Sequence, residues 1–153
     1  MIVVGIRVKP HDVTFAILDT EGCRLINVEK IKIPKALAIP DALKYVRNNI
    51  LDILHEYSAE RAGVRVTESN SQHKNIRRIE LEGVIQESFA SSTLESYYCG
   101  QISNISKLIG INRTEFKPIV DGTRDFTRVE NWMSLTTTEQ RESVLVALGA
   151  END

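Results

Sequence analysis

Cysteine, aromatic residues and excess charge of either sign are all scarce in this chain, and each scarcity excludes a class of protein. Only two cysteines, Cys23 and Cys99, occur among 153 residues, far apart and in no zinc or redox spacing, so both are expected to be reduced and buried. Aromatic residues make up 6% of the sequence, which leaves few platforms for stacking single-stranded bases. The formal net charge is −2, from 19 basic and 21 acidic residues, so attraction to a polyanion must come from a local patch. No apolar run approaches the roughly 18 residues that span a bilayer. The opening Met1-Ile2-Val3-Val4-Gly5 also lacks the charged start and cleavage site of a secretory leader, so a cytoplasmic protein with no membrane partner is expected. The glycine-rich, nucleophile-elbow and paired-histidine patterns of P-loop, dinucleotide-binding, hydrolase and zincin sites are missing as well.

What is present reads as one α/β domain over 1–153, with 42% hydrophobic and 26% charged residues. The first third predicts an antiparallel meander: Ile2 to Val8, Val13 to Asp19 and Cys23 to Ile33, with turn chemistry at Pro10 and Gly22 between them. The first strand is apolar at nearly every position, as a central strand covered on both faces should be, and the third alternates imperfectly, as an edge strand does. Leu43, Val46, Ile50, Ile53, Leu54 and Tyr57 recur at helical spacing after Pro40. Ala62 to Thr67 is then a short strand, and the crossover makes it parallel to the first. A second helix is expected over 74–90 with Ile76, Ile79, Val84 and Ile85 in the core, and Gly83 there suggests close approach to the sheet. Leu94 to Cys99 is a fifth strand, Ile102 to Ile109 a short helix ending at Gly110, and 112–133 an irregular or mobile segment. Thr136 with Glu139 reads as a capping box that opens a last helix.

This order, a meander followed by parallel strands and helices, resembles the ribonuclease H-like fold: a mixed five-stranded sheet flanked by helices. Val4-Gly5-Ile6, with the following turn and Val13 to Leu18, resembles the opening of RuvC-type Holliday junction resolvases. Val64-Arg65-Val66-Thr67-Glu68 is similar to their strand ending in a metal-binding Glu, and Glu82-Gly83-Val84 to an Arg-Gly-Val stretch on the next helix. The resemblance implies a nuclease whose carboxylates hold Mg²⁺ or Mn²⁺ ions about 4 Å apart. It also implies an aspartate in the first strand where this chain has Arg7, and a guanidinium cannot be a ligand. A decayed site with no cofactor is therefore expected, in a module that binds nucleic acid or assembles with protein or with itself; a metal nuclease with rearranged carboxylates is the alternative.

Arg7 is expected either to pair with Glu68 on the neighbouring strand, because an unpaired charge so deep is costly, or to point to solvent if that strand is not central. Glu68, the candidate metal ligand, is with Glu139 and Glu142 a catalytic candidate under the nuclease alternative. Glu139 and Glu142 are spaced like the acidic pair that starts the last helix of the family, although acids in a first helical turn are favoured by the helix dipole in any protein, and that is the readier explanation. Asp12, Asp19, Asp121 and Asp125 are the other acids able to rebuild a metal site around Glu68, and of these Asp121 and Asp125 more naturally serve turns. Lys9, His11, Lys74 and Arg78, with Arg7 and Arg77, form the candidate basic rim for a phosphate backbone. His73 ends the same side of the sheet, and His55 falls on a solvated helix face.

Overall fold

The computed structural model describes all residues, 1–153. Strands β1 (Ile2–Lys9), β2 (Asp12–Asp19) and β3 (Arg24–Lys32) form the expected meander, followed by α1 (Ile39–Glu56), β4 (Arg61–Arg65), α2 (Ile76–Ala90), β5 (Ser96–Gly100), α3 (Ile102–Ile109), α4 (Arg113–Val120) and α5 (Thr138–Glu151). The sheet runs β3-β2-β1-β4-β5, antiparallel among the first three and parallel from β1 to β5. β1 is central and β3 is an edge, as the hydrophobic patterns require.

Alternation along β1 divides the core. Val4, Ile6 and Val8 face a cluster with Val46, Ile50 and Leu54 of α1 and Leu81, Ile85 and Phe89 of α2. Val3 faces the opposite cluster, where Val144, Leu145 and Leu148 of α5 meet Ile105, Ile109 and Phe116. Gly5, on the α5 side, lets the helix lie against the sheet: a Cβ there would stand 2.0 Å from the Ser143 carbonyl oxygen and 2.3 Å from the Ala147 nitrogen.

A second glycine-lined contact holds Tyr98. Cβ atoms at Gly63 and Gly149 would fall 2.2 Å and 2.3 Å from its ring and hydroxyl, and the hydroxyl donates to the Val146 carbonyl at 2.8 Å. Burial, with the negative charges of Asp153 and Cys99, pushes the phenol well above its ordinary range. A group whose folded pKa is raised contributes stability that is full below its unfolded pKa, about 10 for tyrosine, and lost as pH rises past it. Denaturant unfolding from pH 8 to 11 is therefore expected to show stability falling above about pH 10. Tyr98→Phe costs about 1 kcal/mol at neutral pH and flattens that fall.

Several local expectations are corrected. Ile76 and Ile79 are exposed, at 76% and 41%, because the inward face of α2 is set by Leu81, Glu82, Ile85, Ser88 and Phe89. Gly83 faces solvent, with nothing within 4 Å of a Cβ, so the close approach lies at Gly5 instead. Cys99 is exposed and Cys23 half-buried, both as free thiols; Cys99 lies on β5, the second edge of the sheet, in register with Val64. The cap of α5 is Thr137 with Gln140, one residue later than expected. Within 112–133, Arg113–Val120 is a helix started by an Asn112–Glu115 capping box, and Phe126, Val129 and Trp132 are buried beyond it. No helix is long and apolar enough to cross a membrane.

Candidate functional site

Parallel pairing puts Arg7 directly opposite Arg65, at the carboxyl ends of β1 and β4 and on the face covered by α5. Two guanidinium groups side by side repel, so a carboxylate between them is the electrostatic requirement. Glu142, in the second turn of α5, supplies it: Oε2 accepts from Arg7 Nε at 3.0 Å, and Oε1 lies 2.8 Å from Arg65 Nε. The second contact is an ion pair without a hydrogen bond, because the Arg65 N–H is not aligned on the oxygen. The second nitrogens of the two arginines turn back to the carbonyls of Val8 and Val66.

The chain of charges continues through Glu68, whose Oε1 lies 3.3 Å from Arg65 Nη2 and accepts from the Ile102 N–H at 3.0 Å. The partner of Arg7 is thus Glu142, and Glu68 pairs with Arg65. β4 carries Arg65 at the register position of Arg7, and Glu68 comes three residues later, beyond the pairing. On the α2 side, Glu82 accepts from both the backbone N–H and the hydroxyl of Thr67, at 2.7 Å and 2.6 Å, with Arg78 Nε at 3.6 Å. Burial pushes the Arg78 guanidinium below its usual range, reinforced by the positive Arg7 and Arg65 and opposed by Glu82 and Glu142. Three arginines and three glutamates therefore balance one another over the sheet end. Glu82, Glu142 and Arg65 are its most enclosed members, with side chains 4%, 6% and 7% exposed.

Around this cluster lies the rim. Lys9 is 45% exposed and reaches Glu139 at 3.6 Å, while His11 and Lys74 are exposed. Arg77 Nε donates to the Pro10 carbonyl at 2.9 Å, which ties the start of α2 to the turn carrying Lys9 and His11. Arg78 is turned inward, its Nε and one Nη buried and without acceptors, because α2 directs it at Glu82. A cleft of about 230 Å³ opens beside Glu68, lined also by Lys74, Glu82 and Gln101. His73 and His55 are exposed. Asp19 caps the Glu21 N–H at the opposite end of β2, Asp121 follows α4 as its cap, and Asp125 accepts from the Phe126 N–H, so all three serve local structure. Sequence reasoning missed Arg65 as a site residue; its signal is a charge at the inner end of a short strand whose residues between Arg61 and Arg65 are all apolar.

The donor set does not fit the paired divalent ions that the family resemblance implies. Both oxygens of Glu142 and Oε1 of Glu68 already face guanidinium nitrogens, and no group of three or more His, Cys, Asp or Glu side chains is arranged to hold a metal ion. Arg7 and Arg65 place positive charge among these carboxylates.

No protein-family model matches the sequence, and no curated protein matches it. Solved structures do. Thermus thermophilus RuvC superposes with a TM-score of 0.74 at 14% identity, over 97% of this chain and 92% of that one. The same protein in complex with a Holliday junction substrate gives 0.73, with the same identity and coverage. The yeast mitochondrial Holliday junction resolvase gives 0.58 at 14% identity, over 96% of this chain and 76% of that one. The mixed sheet, its strand order and these superpositions together establish that the chain has the ribonuclease H-like fold of the RuvC-type Holliday junction resolvases.

Proposed function

We propose that this protein binds nucleic acid through the sheet end that carries the arginine–glutamate cluster, and does not cleave it. The observation that carries the reading is the Glu142 carboxylate held between Arg7 and Arg65 on neighbouring strands, with Glu68 on the far side of Arg65. Two-metal phosphoryl chemistry needs carboxylate oxygens free to converge on cations. Here guanidinium groups neutralise those oxygens permanently, since arginine does not deprotonate near neutral pH. The cluster then acts as a rigid support. Lys9, His11 and Lys74 stand around it where a phosphate backbone could run, and the complex of a protein of the same fold with a Holliday junction is consistent with such a partner.

In this reading Arg7 and Arg78 are positioning residues. Arg7 anchors α5, which carries Glu139 and so orients Lys9. Arg78 anchors α2, which brings Lys74 to the rim. Binding is expected to be electrostatic, with affinity falling linearly on logarithmic axes as salt rises. It needs no divalent ion. The test is fluorescence anisotropy of a labelled four-way DNA junction, in EDTA and in Mn²⁺, across a salt series. Equal affinity in EDTA and Mn²⁺ is expected; binding seen only with Mn²⁺ would overturn the reading.

A further inference from the structure

The sheet continues beyond the cluster as a row of cations. Arg7 is in register with Thr14, and Thr14 with Lys30 of β3; one step further, Lys9 pairs with Asp12 and Asp12 with Lys32. Residues directly opposite in adjacent strands project from the same face, so Lys30 and Lys32 share the α5 side with Arg7 and Lys9. The neighbouring residues support that placement. Val28 packs against the α5-side core and Ile31 enters the α1-side core, which by alternation leaves Lys30 and Lys32 on the former side. Both lysines are exposed and neither has a carboxylate within ion-pair distance, in contrast to Lys9, which Glu139 holds. Asp12, between Lys9 and Lys32, is the one acid in the row.

We infer that this face of the β3 edge is a second nucleic-acid contact, in which Lys30 and Lys32 receive the phosphate backbone of a duplex arm leading away from the cluster. The inference rests on the nucleic-acid reading above. Two residues of strand separate the lysines by about 6.6 Å, and unpaired like charges at that spacing repel until an anion lies between or along them. A duplex backbone supplies a continuous line of such charge. A small ligand cannot satisfy the row, because it has no walls. The rival use of edge lysines is to stop a second strand from pairing with β3, and it makes a different prediction.

The experiment compares wild type, the double variant Lys30→Ala/Lys32→Ala, and Lys44→Ala on a labelled four-way DNA junction. Lys44 is an exposed lysine of α1, the helix that packs on the other face of the sheet. All three proteins are also checked by light scattering. The inference predicts that the double variant binds roughly tenfold more weakly, and that its salt slope is reduced by about 2, while Lys44→Ala matches wild type. Wild-type binding with no change in the double variant would overturn the inference and leave the nucleic-acid reading standing. That outcome together with self-association of the double variant would assign the lysines to edge protection. No binding by wild type would overturn both.

Discussion

Glu142→Ala is expected to lower the free energy of unfolding by about 3–5 kcal/mol, the usual effect of removing one partner from a buried charge pair. The value belongs at the upper end because one carboxylate neutralises two guanidiniums. Without it Arg7 and Arg65 face each other across adjacent strands, and Arg65, at 7% exposure, has little route to water. Glu142→Gln keeps the volume and a hydrogen-bond acceptor but removes the charge, and is expected to recover only part of the loss. Replacing the three residues of the central triad with apolar ones, Arg7→Met, Arg65→Met and Glu142→Leu, is expected to restore most of the stability, since a buried ion triad roughly offsets its own desolvation. Urea denaturation of the four proteins at pH 7 checks the series. Equal stability of wild type and Glu142→Ala would mean that the cluster is solvated and that its charges act independently.

Gly5→Ala is expected to destabilise by about 3 kcal/mol or more, at or beyond the top of the range for overpacked cores. The atoms that a methyl would meet are backbone, the Ser143 carbonyl and the Ala147 nitrogen, so no side-chain rotation relieves the clash. Either α5 moves off β1 or the strand bends. Glu142 precedes Ser143 on that helix, so the displacement also separates it from Arg7. Gly83→Ala is the control: its Cβ meets nothing within 4 Å on an exposed helix position, and it is expected to stabilise by roughly 0.5–1 kcal/mol through helix propensity. Thermal and urea melts of both variants check the contrast. A neutral Gly5→Ala would show that α5 does not lie on β1 as described.

The contrast between these glycines also shows what the sequence makes legible. The meander, the central place of β1 and the crossover to β4 follow from hydrophobic period and turn residues, which are local. Glu68, Glu142 and Arg7 were identifiable by residue type and by resemblance to the resolvase pattern. Their partners were not, because whether Arg7 meets Glu68 or Glu142 depends on how closely α5 approaches β1, and that is decided by Gly5 against Ser143 some 140 residues away in the chain. The α4 helix was hidden by its brevity and by Pro118, which occupies an interior position. Ile76 and Ile79 fit an apolar stripe, yet α2 buries the face with Glu82, because Thr67 and Arg78 compensate that carboxylate. Arg65 falls in a segment legible only as a short strand, and its inward alternation is the signal that a partner carboxylate must exist.

The central claim is that guanidinium groups occupy the carboxylates on which cleavage would depend. Its most direct test incubates purified protein with single-stranded, duplex and four-way-branched DNA in Mn²⁺ or EDTA, and scores retention on native gels and strand scission on denaturing gels from the same reactions. The account predicts retention in both conditions with every strand intact. Metal-dependent scission that disappears in Glu68→Gln, with the fold of the variant confirmed by its melting curve, would contradict it and establish Glu68 as a working metal ligand.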